Sequence, residues 1–150
     1  MRRGSRSEFG SHEGTKMSDP VDIEALATQV IDCGFHLHKD LGPGLLESAY
    51  VQLMAAELAR RGIAVSRQVA MPLTYKGVVV DNAFKIDLLV ERTLIVELKS
   101  IERLAPVHGK QVLTYLRLMG LPLGLLMNFG QATFKAVSYT HLTLPTILLV

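Results

Sequence analysis

Phe84-Lys85-Ile86-Asp87-Leu88-Leu89-Val90-Glu91-Arg92-Thr93-Leu94-Ile95-Val96-Glu97-Leu98-Lys99 is the stretch that decides the fold of this chain. Two apolar runs, 84–90 and 94–99, flank the short polar turn Glu91-Arg92-Thr93, so they pair as adjacent strands. Each run carries ionisable residues among its apolar ones: Asp87 in the first, Glu97 and Lys99 in the second. Glu97 and Lys99 are two apart and share a strand face, whereas Leu98 turns to the other face and into apolar packing. Asp87 lies across the turn, close enough for its carboxylate to meet that of Glu97. Burying an unpaired ion costs several kcal/mol even after relaxation, so a fold keeps such a cluster only if something offsets the cost. Asp87, Glu97 and the backbone carbonyl of Leu98 suit Mg²⁺ or Mn²⁺, hard cations satisfied by one or two carboxylates and several waters. A lysine beside the metal orients an attacking water or helps deprotonate it. The plainer alternative is a cross-strand salt bridge on a solvated face, which contributes little.

Working outward, Ser18-Asp19-Pro20 with Asp22 reads as a helix start, with a proline in the first turn and an acid at the positive dipole end. Ile23, Leu26, Val30, Cys33, Phe35 and Leu37 supply its apolar stripe, and Leu41-Gly42-Pro43-Gly44 breaks it. A second helix is expected over 46–61, ended by Gly62. Val65, Val69, Met71, Leu73 and Tyr75 keep the alternation of a half-buried strand. Lys76-Gly77 turns it into 78–81, and the strand resumes over 83–90. A third helix over 106–119 is followed by a continuous apolar strand at 123–127 and a fifth at 133–137. A meander followed by a helix and further strands predicts an α/β fold, a mixed sheet of four to five strands flanked by helices.

With 150 residues, 49% hydrophobic and 20% charged, the chain is sized for one domain with a proper core. Residues 1–16 read as a vector-like tail, 17–137 as the domain, and 138–150 as a second foreign-looking tail. The formal charge of +2 comes from the first tail, since residues 17–137 hold twelve Lys and Arg against twelve Asp and Glu. Net charge is therefore silent about partners. Cys33, the only cysteine, excludes an intrachain disulfide and fits a reducing cytoplasm. No apolar run is long enough for a membrane span, and no signal peptide is visible.

Two further motifs complete the pattern. Gly44-Leu45-Leu46-Glu47-Ser48-Ala49-Tyr50 puts an acid in the first turn of the second helix, a position that dipole complementation alone explains. Gln111 lies in the third helix within Val107-His108-Gly109-Lys110-Gln111-Val112-Leu113-Thr114-Tyr115-Leu116, with His108 on the same face. Together with Asp-Leu-Leu-Val, Val-Glu-Leu-Lys and Gly-Leu-Leu-Met-Asn-Phe-Gly, these resemble the GxxExxY family of the PD-(D/E)XK nuclease superfamily. The resemblance covers about residues 23–137 and has its motifs in order. It implies a restriction-endonuclease-like core and metal-dependent phosphodiester hydrolysis of DNA or RNA. It matches Glu47 to the helical acid, Asp87 to the strand aspartate, Glu97 and Lys99 to the (D/E)-x-K pair, and Gln111 to the polar residue of the next helix. Glu47 then acts through water or on a second metal, and Gln111 fixes Lys99 or substrate. Ile86 stands where the superfamily pattern has proline, a position that contributes no ligand.

A second function class stays open: a binding or scaffold protein without turnover, or a subunit completed by a partner or a second protomer. The neutral charge balance favours it, because nucleic-acid affinity rests largely on phosphate neutralisation. Other candidates are weaker. His36 and His38 diverge on their helix and form no metal pair, Cys33 sits on the apolar stripe, and Tyr50 and Tyr115 are read as base-stacking or structural.

Overall fold

Leu26, Val30, Cys33 and Leu37 recur at helical spacing and are buried on the inner face of α1 (Ile23–Leu41) in a computed structural model, which describes residues 20–141. The helix starts later than expected. Asp22 is its N-cap and accepts from the Ala25 N–H at 3.1 Å, so Pro20 precedes the helix, while Ser18 and Asp19 lie outside the described residues. Phe35, expected in the apolar stripe, is 50% exposed, because it stands about 200° around the helix from Cys33.

The remaining elements are α2 (Glu47–Arg60), β1 (Val65–Tyr75), β2 (Val78–Val90), β3 (Leu94–Lys99), α3 (Pro106–Met119), β4 (Leu123–Asn128) and β5 (Lys135–Thr140). They build the expected mixed sheet, in the order β1-β2-β3-β4-β5. The β3–β4 pair is parallel and linked through α3, and the other pairs are antiparallel. β2 is one continuous strand rather than two. The register shift lies between Met71 and Leu73, where residues 81–83 of β2 face Pro72 alone. Pro72 has no N–H to give the ladder, so the partner strand bulges there. β5 starts and ends later than expected and pairs along all of β4, from Asn128↔Lys135 to Leu123↔Thr140. The domain end expected at Val137 thus falls within it. Residues 1–16 and 142–150 of the two expected tails lie outside the described residues.

The sheet carries a core on each face. One packs α1 and α2 on it through Val30, Tyr50, Met54, Leu58, Val96 and Leu98, with Phe129 beside them. The other packs α3 through Val112, Tyr115 and Leu116 against Ile86, Ile95 and Leu126. Strand alternation breaks at one place. Ile86 belongs to the α3 core, but Leu88 and Val90, of the same parity, belong to the opposite core. β1 does the same: Val65 packs with α1 and α2, Val69 and Met71 with α3. The switch falls at Asp87 and at Gln68, which stands opposite it and has φ 51. Among the described residues, no helix is long and apolar enough to cross a membrane.

Candidate active site

The β2–β3 ladder pairs Val90 with Leu94, Leu89 with Ile95 and Leu88 with Val96, and there it stops. The next opposed residues are Asp87 and Glu97, and their side chains take over from the backbone. The Asp87 N–H donates to Glu97 Oε1 at 3.1 Å, and the Leu98 N–H donates to Asp87 Oδ2 at 3.0 Å. Each acid therefore satisfies an N–H that the splayed strands leave open. Their carboxyl groups also lie within hydrogen-bonding reach of one another. Leu98 is fully buried on the opposite face, as expected.

Glu97 is only 3% exposed. Burial, then repulsion from Asp87, push its carboxyl up to about 8, and Lys99 offsets only part of this. Among the described residues the ion pairs are Asp32 with His36 and with Arg61, and Glu57 with Arg60. Lys99 is in none of them. A cross-strand salt bridge therefore does not explain Glu-x-Lys here: the acids repel one another, and the lysine stays unpaired beside them.

Glu47 is the first residue of α2, and its position follows from its motif. Gly44 adopts φ +113, a region L side chains rarely enter, which turns the chain sharply into the helix. The Tyr50 hydroxyl donates to the Gly42 carbonyl at 2.6 Å and accepts from the Leu45 N–H at 3.3 Å. Ser100, just past Lys99, donates its hydroxyl to the Leu45 carbonyl at 2.9 Å. The loop before Glu47 is thereby tied to the end of β3. Burial and then Asp87 raise the Glu47 carboxyl, while Lys99 and the Ser100 backbone lower it. Tyr50 itself is fully buried and stacks on Phe129 at 4.5 Å, so its role is structural and no base reaches it.

Gln111 does not hold Lys99. Its Nε2 donates to the Tyr115 hydroxyl at 2.8 Å, one turn along α3, and no hydrogen bond among the described residues joins it to Lys99. Tyr115 is 9% exposed and stacks on Phe84, and burial, then the charge of Glu97, raise its phenol. The site thus takes its parts from β2, β3, the start of α2 and one face of α3. His36 and His38 are engaged elsewhere, with the carbonyls of Asp32 and Gln131.

Asn128 was not singled out in the sequence, though it lies in the quoted Met-Asn-Phe-Gly motif. It is fully buried; its Oδ1 accepts from Ile101 and Gly130, and its Nδ2 donates to the Ile101 carbonyl. A Cβ on Gly130 would stand 2.2 Å from the Ile101 nitrogen. That motif clamps the chain directly after Lys99.

The sequence profile of the PD-(D/E)XK nuclease superfamily matches residues 24–139. The chain belongs to the PD-(D/E)XK nuclease superfamily. Its five-stranded mixed sheet flanked by helices is the α/β architecture of a restriction-endonuclease-like domain. PD-(D/E)XK proteins generally hydrolyse phosphodiester bonds and typically use divalent metals. Among curated proteins none matches the chain. The crystal structure of SSO0001 is similar to it at 11% identity and a TM-score of 0.43, over 77% of each chain.

The residues present fit a cation of the kind PD-(D/E)XK nucleases use. Glu97 is buried and Asp87 half-buried, the two acids repel one another, and each spends one oxygen on a backbone N–H of the facing strand. Among the described residues no three His, Cys, Asp or Glu side chains converge as a metal cluster. The donor set is thus too sparse for a closed zinc centre. Two carboxylates are donors of the kind a hard divalent cation completed by waters would use, and Glu47 does not converge with them as a third.

Proposed function

We propose that this protein is a Mg²⁺- or Mn²⁺-dependent nuclease of the GxxExxY type that hydrolyses phosphodiester bonds in DNA or RNA. The observation that carries the reading is the pair of repelling acids, Asp87 and Glu97, kept at a point where the strands splay and, among the described residues, no cation forms an ion pair with them. A divalent cation held by Asp87, Glu97 and the Leu98 carbonyl would cancel that repulsion, acidify water and stabilise charge on the phosphoryl oxygens. Lys99 orients the attacking water for in-line displacement at phosphorus, with no covalent enzyme intermediate. Glu47 acts across the site through an intervening water. Gln111, held by Tyr115, lines the substrate side.

The test is cleavage of labelled single- and double-stranded DNA and RNA with Mg²⁺ or Mn²⁺, with EDTA and Lys99→Ala as controls. Metal-dependent cutting that the variant loses establishes the activity and its substrate class together. Metal binding without cutting supports the second reading, a silent binding or scaffold protein or a subunit needing a partner or second protomer. The balanced charge of residues 17–137 favours that reading. Activity that rises steeply with protein concentration would identify the second-protomer case.

A further inference from the structure

We infer that His108 touches the substrate, donating its Nε2–H to a phosphate oxygen next to the scissile bond; this rests on the nuclease reading above. His108 lies in the first turn of α3 and is half-buried. Its Nδ1 is 2.9 Å from the Ala105 backbone nitrogen. A backbone N–H can only donate, so Nδ1 accepts and the ring proton sits on Nε2. In that tautomer Nε2 has no lone pair for a cation, which makes it a donor and not a metal ligand. Among the described residues no acceptor takes this Nε2–H.

The placement of the ring follows from the helix. His108, Gln111 and Tyr115 recur at i, i+3 and i+7 and share one face of α3. Tyr115, at the far end of that face, packs beside Ile86 and Ile95, the neighbours of Asp87 and Glu97 on their strands. Across the gap stands Glu47, whose carboxyl senses Lys99, Asp87 and His108. His108, in the first turn of α3, thus lies within electrostatic reach of Glu47 at the start of α2. A phosphodiester entering a site with three carboxylates and one lysine needs further donors. The Gln111 amide spends one of its two N–H groups on Tyr115, and His108 presents a further donor on the same helix face. A donor at phosphate matters most as charge builds on its oxygens, so its loss lowers kcat more than it raises KM.

Two substitutions separate this role from helix capping. In His108→Asn the amide oxygen takes the place of Nδ1 and keeps the Ala105 bond, but nothing reaches the Nε2 position. In His108→Gln the longer side chain restores a donor at Nε2 and gives up the cap. Cleavage by the wild type, both variants and Lys99→Ala is measured beside their melting temperatures. His108→Asn should lose about 10- to 100-fold in kcat at an unchanged melting temperature. His108→Gln should melt lower and keep its rate within about threefold of the wild type, as the donor is restored. Wild-type rates in His108→Asn, a loss that merely follows its melting temperature, or failure of His108→Gln to restore cutting would each overturn the inference alone. A wild type that shows no metal-dependent cleavage distinguishable from Lys99→Ala overturns the nuclease reading itself.

Discussion

Replacing Glu97 with Gln removes the one charge that the metal-free fold is least able to hold. Burial and Asp87 raise the Glu97 carboxyl from 4.5 to about 8, so the folded chain binds this proton more tightly than the unfolded one. The group supports folding fully below its unfolded value, and that support is lost as pH rises from 4.5 through about 8. At about 1.4 kcal/mol per pH unit, metal-free wild type at pH 8.5 has lost up to about 5 kcal/mol relative to acid. A glutamine never ionises and keeps an oxygen for the Asp87 N–H, while its buried amide costs roughly 1–3 kcal/mol if unpaired. In EDTA at pH 8.5 the Glu97→Gln protein should therefore exceed the wild type by about 2–4 kcal/mol, a melting temperature higher by about 4–16 °C. At pH 5 the advantage should vanish or reverse. Mg²⁺ should raise the melting temperature of the wild type and leave the variant nearly unmoved. Thermal unfolding at both pH values, with and without the metal, reads all of this. An offset between the two proteins that is the same at pH 5 and pH 8.5 would refute the claim that Glu97 holds a strained charge.

Lys99 makes no ion pair among the described residues, so Lys99→Ala should lose at least about 100-fold in single-turnover cleavage while melting within about 2 °C of the wild type. Unchanged cleavage by that variant would sink the mechanism. Gly130→Ala forces a Cβ to 2.2 Å from the Ile101 nitrogen and 2.4 Å from its oxygen. It should cost about 3 kcal/mol or more, read as a fall in urea midpoint; a shift near zero would mean that Asn-Phe-Gly does not clamp the β3 exit. Gln68 holds φ 51 opposite Asp87, so Gln68→Gly should stabilise by up to about 1 kcal/mol and Gln68→Val should destabilise. Opposite signs in denaturant melts would show that the backbone there is not strained.

Much of the site was legible because its residues break rules that strands otherwise obey. Charged Asp87, Glu97 and Lys99 in apolar runs draw notice through the cost of burial alone, and the structure brings the first two together where they were expected. The second helix and α3 were equally plain, each periodic with a Gly or Pro at an end, and β3 stood out as an apolar run after a polar turn. What period-2 reading could not reveal is the parity switch at Asp87 and Gln68. A strand that changes face without a turn looks in sequence like ordinary alternation, since apolar residues line both cores. The Pro72 bulge was hidden for a similar reason: an irregularity belongs to the pair of strands, and neither sequence contains it alone. For Gln111, expected to fix Lys99 or substrate, spacing does not rank the neighbours within reach, and among the described residues its side chain bonds to Tyr115, one turn along.

The same irregularities account for how this fold holds the site. In a regular β2–β3 ladder Asp87 and Glu97 would stand directly opposite one another, and only one of Asp87 and Leu98 would turn its N–H toward the facing strand. Because the ladder ends at Leu88 and Val96, the N–H groups of Asp87 and Leu98 are answered by carboxylates, which fixes one oxygen of each acid. The splay that interrupts the sheet is thus what lets each acid bond to the backbone of the facing strand. Stability opposes that arrangement, as the raised Glu97 carboxyl attests. Around it, Asn128 and Gly130 hold the chain leaving β3, Tyr50 and Ser100 hold the loop before Glu47, and Tyr115 holds Gln111. Each of these buried or half-buried anchors lies one step behind a residue assigned to chemistry. Substituting the anchors should therefore lower cleavage and stability together. Substituting Lys99 should lower cleavage alone, and substituting Glu97 should abolish cleavage while raising metal-free stability at alkaline pH. That divergence in sign between neighbouring positions is what a site built against the preference of its own fold requires.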